Sequence, residues 1–229
     1  MSRRPQESEP GAQAPRSDPP LSGRRAQAAR NDDAIRDAAR RVFVDDPEAP
    51  VAAVAQAAGV GISALYRRYP GKEDLLARLC LDGLREFVDV ATEALEVADP
   101  WDGFAAFVRG VVGADVHSLT VHLAGRFHPT AEHRGLATEA GTLAGRILAR
   151  AQAAGVVRAD VTDEDLPMVY EQLTAVRLGD ADRTAALRRR YVDLQLEGLR
   201  ARSDAAPLTG APPTQAELGA RWRYRGSTG

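Results

Sequence analysis

Apolar residues recur along this chain at intervals of three and four, and no stretch shows the strict alternation that marks a half-buried strand. Ile35, Ala38, Ala39, Val42 and Phe43 share one face of a helix expected near Asp32–Val44. Asn31 stands where a cap would sit, and Asp32 and Asp33 meet the positive end of the helix dipole. Asp45-Asp46-Pro47 then breaks the helix. Val51, Val54, Ala55 and Ala58 predict a second, short helix, and Gly59-Val60-Gly61 supplies residues able to take φ > 0 at a sharp turn. A third helix follows over Ile62–Tyr69 and stops at Pro70-Gly71. Small Ala57 and Ala58 permit the close crossing of two helices at about 90–120°, with Val60 and Leu65 plugging it. This stretch predicts a helix-turn-helix.

Downstream the helices lengthen. Leu75, Leu76, Leu79, Leu84, Phe87, Val88, Ala91 and Leu95 stripe a rod from Lys72 to about Val97, roughly 40 Å long at 1.5 Å per residue. Asp99-Pro100 restarts a helix whose inner face is Phe104, Phe107, Val108, Val111 and Val112. A short helix is expected over 114–127. His128-Pro129-Thr130 caps the next helix, which carries Leu136, Leu143, Ile147 and Ala151 and stops at Gly155. Thr162 to Asp165 caps another, with Leu166, Val169, Tyr170, Leu173 and Val176 inward. A last long helix, from about Arg183 to Arg202, repeats Leu187, Tyr191, Leu194 and Gly198, and a short one is expected around Thr214–Trp222. The fold class is all-α: an N-terminal three-helix helix-turn-helix domain and a C-terminal helical bundle. Residues 1–23 hold five Pro, two Gly and no aromatic, so they are expected to be a disordered arm. The reader then spans 24–71, the bundle 72–202 with 72–97 as the connecting helix, and 203–229 forms a flexible tail.

Composition adds three points. At 229 residues and 44% hydrophobic the chain can bury a sizeable core. Its net charge of −2 confines any nucleic-acid surface to a local patch. Such a patch exists: from Gly59 to Lys72 there are three cations and no acid. Arg24, Arg25 and Arg30 suit either a minor-groove arm or a solubilising tail. Cys80, the single cysteine, excludes an intrachain disulfide and is expected to be a packed thiol among leucines. Nothing resembles a signal peptide or a span of ~20 apolar residues, so a cytoplasmic protein with no membrane partner is expected.

The run AAGVGISALYRRYPGKEDLL, preceded by DDAIRDAARRVF, resembles the DNA-binding domain of the tetracycline-repressor (TetR) family of bacterial regulators. The resemblance covers roughly Asn31 to Leu79, and beyond it extends to helical layout and the run AQAAGVVRADVTDEDL. It implies a homodimeric transcriptional repressor on double-stranded operator DNA, released by a small apolar effector. It places Ser63, Ala64, Tyr66, Arg67, Arg68 and Lys72 at the DNA, with Tyr66 and Lys72 on phosphates and Ser63, Ala64 and Arg68 nearer base edges. Where the family often carries a phosphate-binding Thr at the start of the second helix, this chain has Val51, leaving Arg67 or Arg41 to compensate.

Trp101, Phe104, Phe107, Phe127 and Tyr170 are candidates for lining an effector cavity, and plain core is the competing reading. The last two helices keep apolar stripes with no further helix to cover them, so Leu173, Leu187, Tyr191 and Leu194 are candidates for a four-helix dimer bundle. Arg188-Arg189-Arg190 is expected to be a solvated face. His117, His122, His128 and His133 fall within 17 residues, but His117 and His122 are i, i+5, about 140° apart on a helix, which argues against a metal site. No cofactor is expected, and no motif of an enzyme appears. Two alternatives remain open: a ligand-independent or partner-sensing DNA-binding protein, and a small helical enzyme.

Overall fold

The computed structural model describes residues 21–117, 123 and 125–220. Among these it contains nine helices and no strand: α1 (Leu21–Asp45), α2 (Val51–Ala57), α3 (Ile62–Arg68), α4 (Lys72–Glu96), α5 (Pro100–Gly113), α6 (Ala131–Ala153), α7 (Asp165–Thr174), α8 (Ala181–Leu199) and α9 (Gln215–Ala220). The all-α class expected from periodicity is the class observed. An isolated bridge between Val157 and Arg200 joins the end of α8 to the segment after α6.

The first helix begins at Leu21, well before the expected Asp32. Ala, Arg and Gln over 24–30 are strong helix formers, and Gln27 Nε2 donates to Asn31 Oδ1 at 2.8 Å one turn on. Asn31 is therefore interior to α1 and caps nothing. Residues 21–23, assigned from composition to the arm, are helical, while 1–20 and the side chains of Arg24 and Arg25 lie outside the described residues. At the turn between α2 and α3 only Gly59 has positive φ, +65°, whereas Gly61 is the extended N-cap of α3 at φ −66°. Of the short helix expected over 114–127, residues 118–122 and 124 lie outside the described residues.

Elsewhere local chemistry sets the helix ends. Asp99 Oδ1 accepts from Asp102 N at 2.9 Å, with Pro100 opening α5. Thr130 and His133 form a reciprocal capping box on α6, and Gly155, at φ +68°, closes it. Before α7 the expected cap works in reverse: the Asp165 carboxylate accepts from Thr162 N at 2.8 Å.

Two cores result. In the first, Ile35, Ala38, Ala39 and Phe43 of α1 meet Val54 of α2, Leu65 of α3, and Leu75, Leu76 and Leu79 of α4. Cys80 lies in it, and burial pushes its thiol up to about 12, leaving it unreactive. In the second, Phe104, Phe107, Val108 and Val111 of α5 pack on Ala91 of α4, Ile147 and Leu148 of α6, Tyr170 and Leu173 of α7, and Val192 and Leu196 of α8. Helix α4 serves both. Leu123 and Phe127 follow α5 in sequence yet close the first core, so the two cores interleave along the chain.

Helix α6 holds α4 near both ends. His133 Nε2 lies 2.9 Å from Ala77 O, and Arg150 donates to Leu95 O at 2.9 Å and Val97 O at 2.8 Å. Between these points α4 runs for roughly 27 Å. The segment after α8 lies along the α6–α7 connection, where Leu208 N donates to Asp160 at 2.9 Å and Gln215 to Glu164 at 2.9 Å.

Candidate nucleic-acid interface

Helix α3 has one buried residue, Leu65, which with half-buried Val60 fixes it against α2 and leaves the opposite face to solvent. Ser63, Tyr66, Arg67 and Arg68 are exposed there, and Ala64 is partly covered. Ile62 is exposed as well, four residues before Tyr66 and so on the same side of the helix. Residue typing alone had passed over it. The helical register placing it beside Tyr66 was the signal that could have found it.

Arg68 is not free beside Tyr66. Its Nε and Nη2 donate to the two oxygens of Asp32 on α1 at 2.8 and 3.2 Å, and Tyr69 Oη donates to Asp32 Oδ1 at 2.7 Å. Burial alone would raise the Asp32 carboxyl. The hydrogen bonds from Arg68 and Tyr69, with the charges of Arg68 and Arg36, outweigh burial and hold it below the usual carboxylate value. Burial and the Asp32 hydrogen bond push the Tyr69 phenol up to about 12, so it remains a donor at neutral pH.

Lys72 is the first residue of α4 after its N-cap Gly71. Its Nζ sits 5.3 Å from the Phe43 ring centroid and 4.0 Å from Glu48, and Glu48 also pairs with Arg126. Burial lowers the Lys72 pKa, against the pull of Glu48. Val51, the departure from the family pattern, is 7% exposed and belongs to the core. Of its two expected substitutes, only Arg67 is on the α3 face. Arg41 lines a cleft of about 750 Å³ between α1, the end of α5 and the start of α8.

The five candidate effector aromatics do not converge. Phe107 lies edge-on to Tyr170 at 6.4 Å and to Phe87 of α4 at 5.4 Å. Trp101 and Phe104 are 6.1 Å apart, with the Arg200 guanidinium 3.8 Å over the Trp101 ring. Phe127 packs in the other core, 5.1 Å from His133. None of the five lines the 750 Å³ cleft. Tyr170 is 2% exposed, its hydroxyl finds no hydrogen-bond partner among the described residues, and burial raises its pKa.

The described histidines go to separate places. His117 lies edge-on to Tyr170 at 5.4 Å, His128 bonds Glu73 at 2.7 Å, and His133 serves the α6 capping box. His122 is outside the described residues. No cluster of metal-ligating side chains occurs among those that are described.

Of the candidate dimer residues, Tyr191 and Leu194 are 42% and 58% exposed on α8, whereas Leu173 and Leu187 are buried within the protomer. Arg188 is not part of a solvated face. It is nearly enclosed, donating to Thr174 O at 2.8 Å and Val176 O at 3.2 Å and pairing with Asp115 at 2.9 Å, while Arg189 and Arg190 are exposed.

A helix-turn-helix with an outward polar and cationic face, carried on a helical bundle, defines a DNA-binding regulator. The sequence matches "Bacterial regulatory proteins, tetR family" over residues 35–79 and "Transcriptional regulator SbtR-like, C-terminal domain" over 99–201. The chain belongs to the TetR family of transcriptional regulators. Over 70 residues it is 44% identical to the HTH-type transcriptional repressor LfrR of Mycolicibacterium smegmatis, a match that spans 31% of this chain and 35% of that protein. A TetR transcriptional regulator from Streptomyces coelicolor superposes with TM-score 0.54 at 26% identity, covering 75% of this chain and 99% of its own. A TetR regulatory protein from Mycobacterium vanbaalenii superposes with TM-score 0.51 at 29% identity, covering 77% and 98%. No described helix is long and apolar enough to cross a membrane.

Proposed function

We propose that this regulator is a cytoplasmic homodimeric repressor, and not an enzyme, that occupies a roughly palindromic operator and leaves it when a small effector binds the C-terminal bundle. The observation that carries the reading is the outward face of α3, where Ser63, Tyr66 and Arg67 are exposed while Leu65 alone is buried. Two such faces in a dimer read successive major grooves about 34–36 Å apart. Ser63, Ala64 and Ile62 are placed for base edges, including the thymine methyl, and Tyr66, Arg67 and Lys72 for phosphates. Arg68 acts from its pairing with Asp32, either as a brace or, once released, as a reader of guanine. The M. smegmatis relative is named a repressor, and its 44% identity over 70 residues supports repression here.

We place the effector beside Phe107 and Tyr170, because a buried hydroxyl with no partner among the described residues favours a ligand that supplies one. The packing of the other aromatics favours a second reading, in which the protein binds DNA without an effector. Selection of bound sequences from a random DNA library tests the first claim, with an inverted repeat as the expected product. Enrichment of no repeat, or of a single half-site, would sink it. A thermal-shift screen of planar apolar compounds tests the second, and hits that never change operator affinity favour the effector-free reading.

A further inference from the structure

We propose that the cleft between α1, the end of α5 and the α7–α8 connection binds an amphiphilic organic anion, a phosphate or carboxylate on an apolar body. This is a ligand site separate from the bundle interior, and it joins the two halves of the molecule. Arg40 and Arg41 enter it from α1, Arg109 from α5, Arg177 from the connection, and Arg188 and Arg189 from α8. Four aspartates line it beside these six arginines, so cations are in excess.

The pairing shows which cations are spent. Arg177 holds Asp45 at 3.0 Å, Arg188 holds Asp115 at 2.9 Å, Arg109 holds Asp193 at 2.9 Å, and Arg40 reaches Glu86 at 3.0 Å. Asp180, the fourth aspartate, caps α8 by accepting from Arg183 N at 2.8 Å. Arg41 and Arg189 remain, exposed and with no carboxylate partner among the described residues, one on each wall. Val44, Val112 and Val192 also line the cleft, giving an apolar body somewhere to lie. A volume of about 750 Å³ lies within the usual range of small-molecule sites. Guanidinium forks suit planar or tetrahedral oxyanions, which sets the ligand class.

Neither DNA nor a second protomer explains the cleft. Asp32, which meets the end of α3, is separated from Asp45 by thirteen residues of α1, roughly 20 Å of helix. On α8 the mean direction of the seven residues lining the cleft lies about 130° from that of Tyr191 and Leu194, at 100° per residue, with Thr184 and Arg188 nearest to Tyr191. The Arg177–Asp45 pair crosses the cleft from the C-terminal half to the last residue of α1. An anion bridging Arg41 and Arg189 competes with Asp45 for Arg177 and so acts on α1, which packs directly on α2 and α4.

The test is calorimetric titration of the full chain with hexyl phosphate and with hexanoate. Saturable binding of at least one probe is expected, weakened roughly tenfold or more in Arg41→Gln/Arg189→Gln, since charge-assisted bonds are lost. Arg190→Gln, which changes an exposed arginine that does not line the cleft, should bind as the parent does. Binding by hexyl phosphate alone assigns a phosphate ligand, and binding by hexanoate alone a carboxylate. Hydrogen exchange gives a readout independent of the variants: the bound probe should protect the last turn of α1 and the start of α8. No saturable binding by either probe, equal binding by the double variant, or protection confined to α5–α7 would overturn the site. None of these outcomes bears on operator reading by α3, so the two proposals fail separately.

Discussion

Asp32 accepts two hydrogen bonds from Arg68 and one from Tyr69, and so fastens the end of α3 to α1. Its carboxyl is held below the usual value, so the stabilisation is complete above the unfolded pKa of about 3.9 and is lost as pH falls through the lower folded one. Asp32→Asn should therefore cost about 1 kcal/mol at pH 7, discounted because Arg68 is largely exposed, and the difference from the parent should shrink below pH of about 4. Denaturant melts of both proteins at a series of pH values check this, and a gap independent of pH would mean that the charge of Asp32 contributes nothing. This brace was not legible in the sequence. The acid stands 36 residues from its arginine, and its place in the first turn of the expected helix suggested only a dipole role. What was legible was the outward polar set on α3, because periodicity assigns Leu65 inward and everything opposite it outward. The Arg188 anchor was missed for the same reason as Asp32: three adjacent arginines look alike until the fold brings Asp115 and the end of α7 to one of them.

At the scale of elements, periodicity placed α4, α5 and α6 well because each carries a long stripe bounded by a cap or a glycine. It failed at the start of α1, where alanines and arginines without a stripe extend a helix by propensity alone. The turn separates its two glycines. Gly59→Ala forces φ +65° on an L-residue at about 1–2 kcal/mol, with no contact to blame since nothing lies within 4 Å of the new methyl. Gly61→Ala, at φ −66°, loses a favourable N-cap residue but stiffens the unfolded chain by a similar amount, so it should change stability by less than about 0.5 kcal/mol. Urea titrations of the pair decide it, and equal losses would show that the positive φ of Gly59 does not set the cost. The outer stripe of α8 was half legible. Its period was right, but the sequence could not say that Leu187 faces inward while Tyr191 and Leu194 stay uncovered. If that stripe is the dimer contact, Tyr191→Glu buries an unpaired carboxylate and should give monomers in light scattering. A dimer of unchanged mass places the interface elsewhere.

Across the whole molecule, α4 links the reader to the bundle and α6 is fastened to it, through His133 on Ala77 and Arg150 on Leu95 and Val97. Phe87 lies on α4 itself and meets Phe107 edge-on at 5.4 Å, and Phe107 in turn meets Tyr170. On the proposed reading, an effector bound to the Tyr170 hydroxyl would displace Phe107 and so press directly on the rod, fifteen residues or roughly 22 Å from Lys72. Two recognition helices must match a fixed groove spacing, so a small tilt of α4 is enough to lower operator affinity. Such coupling is typically 1–3 kcal/mol, or about 5–150-fold, and thermodynamic linkage makes it reciprocal. Any compound that loosens the operator complex should therefore bind more weakly, by the same factor, when the protein is saturated with operator. Tyr170→Phe removes a hydroxyl that has no partner among the described residues, so it should leave operator binding intact and reduce the response to a hydrogen-bonding effector. Paired titrations of one compound, with and without operator, on the parent and on Tyr170→Phe measure all four affinities. A sizeable factor in the parent that falls toward one in the variant supports an effector at Tyr170. A response unchanged in Tyr170→Phe moves the effector away from that hydroxyl.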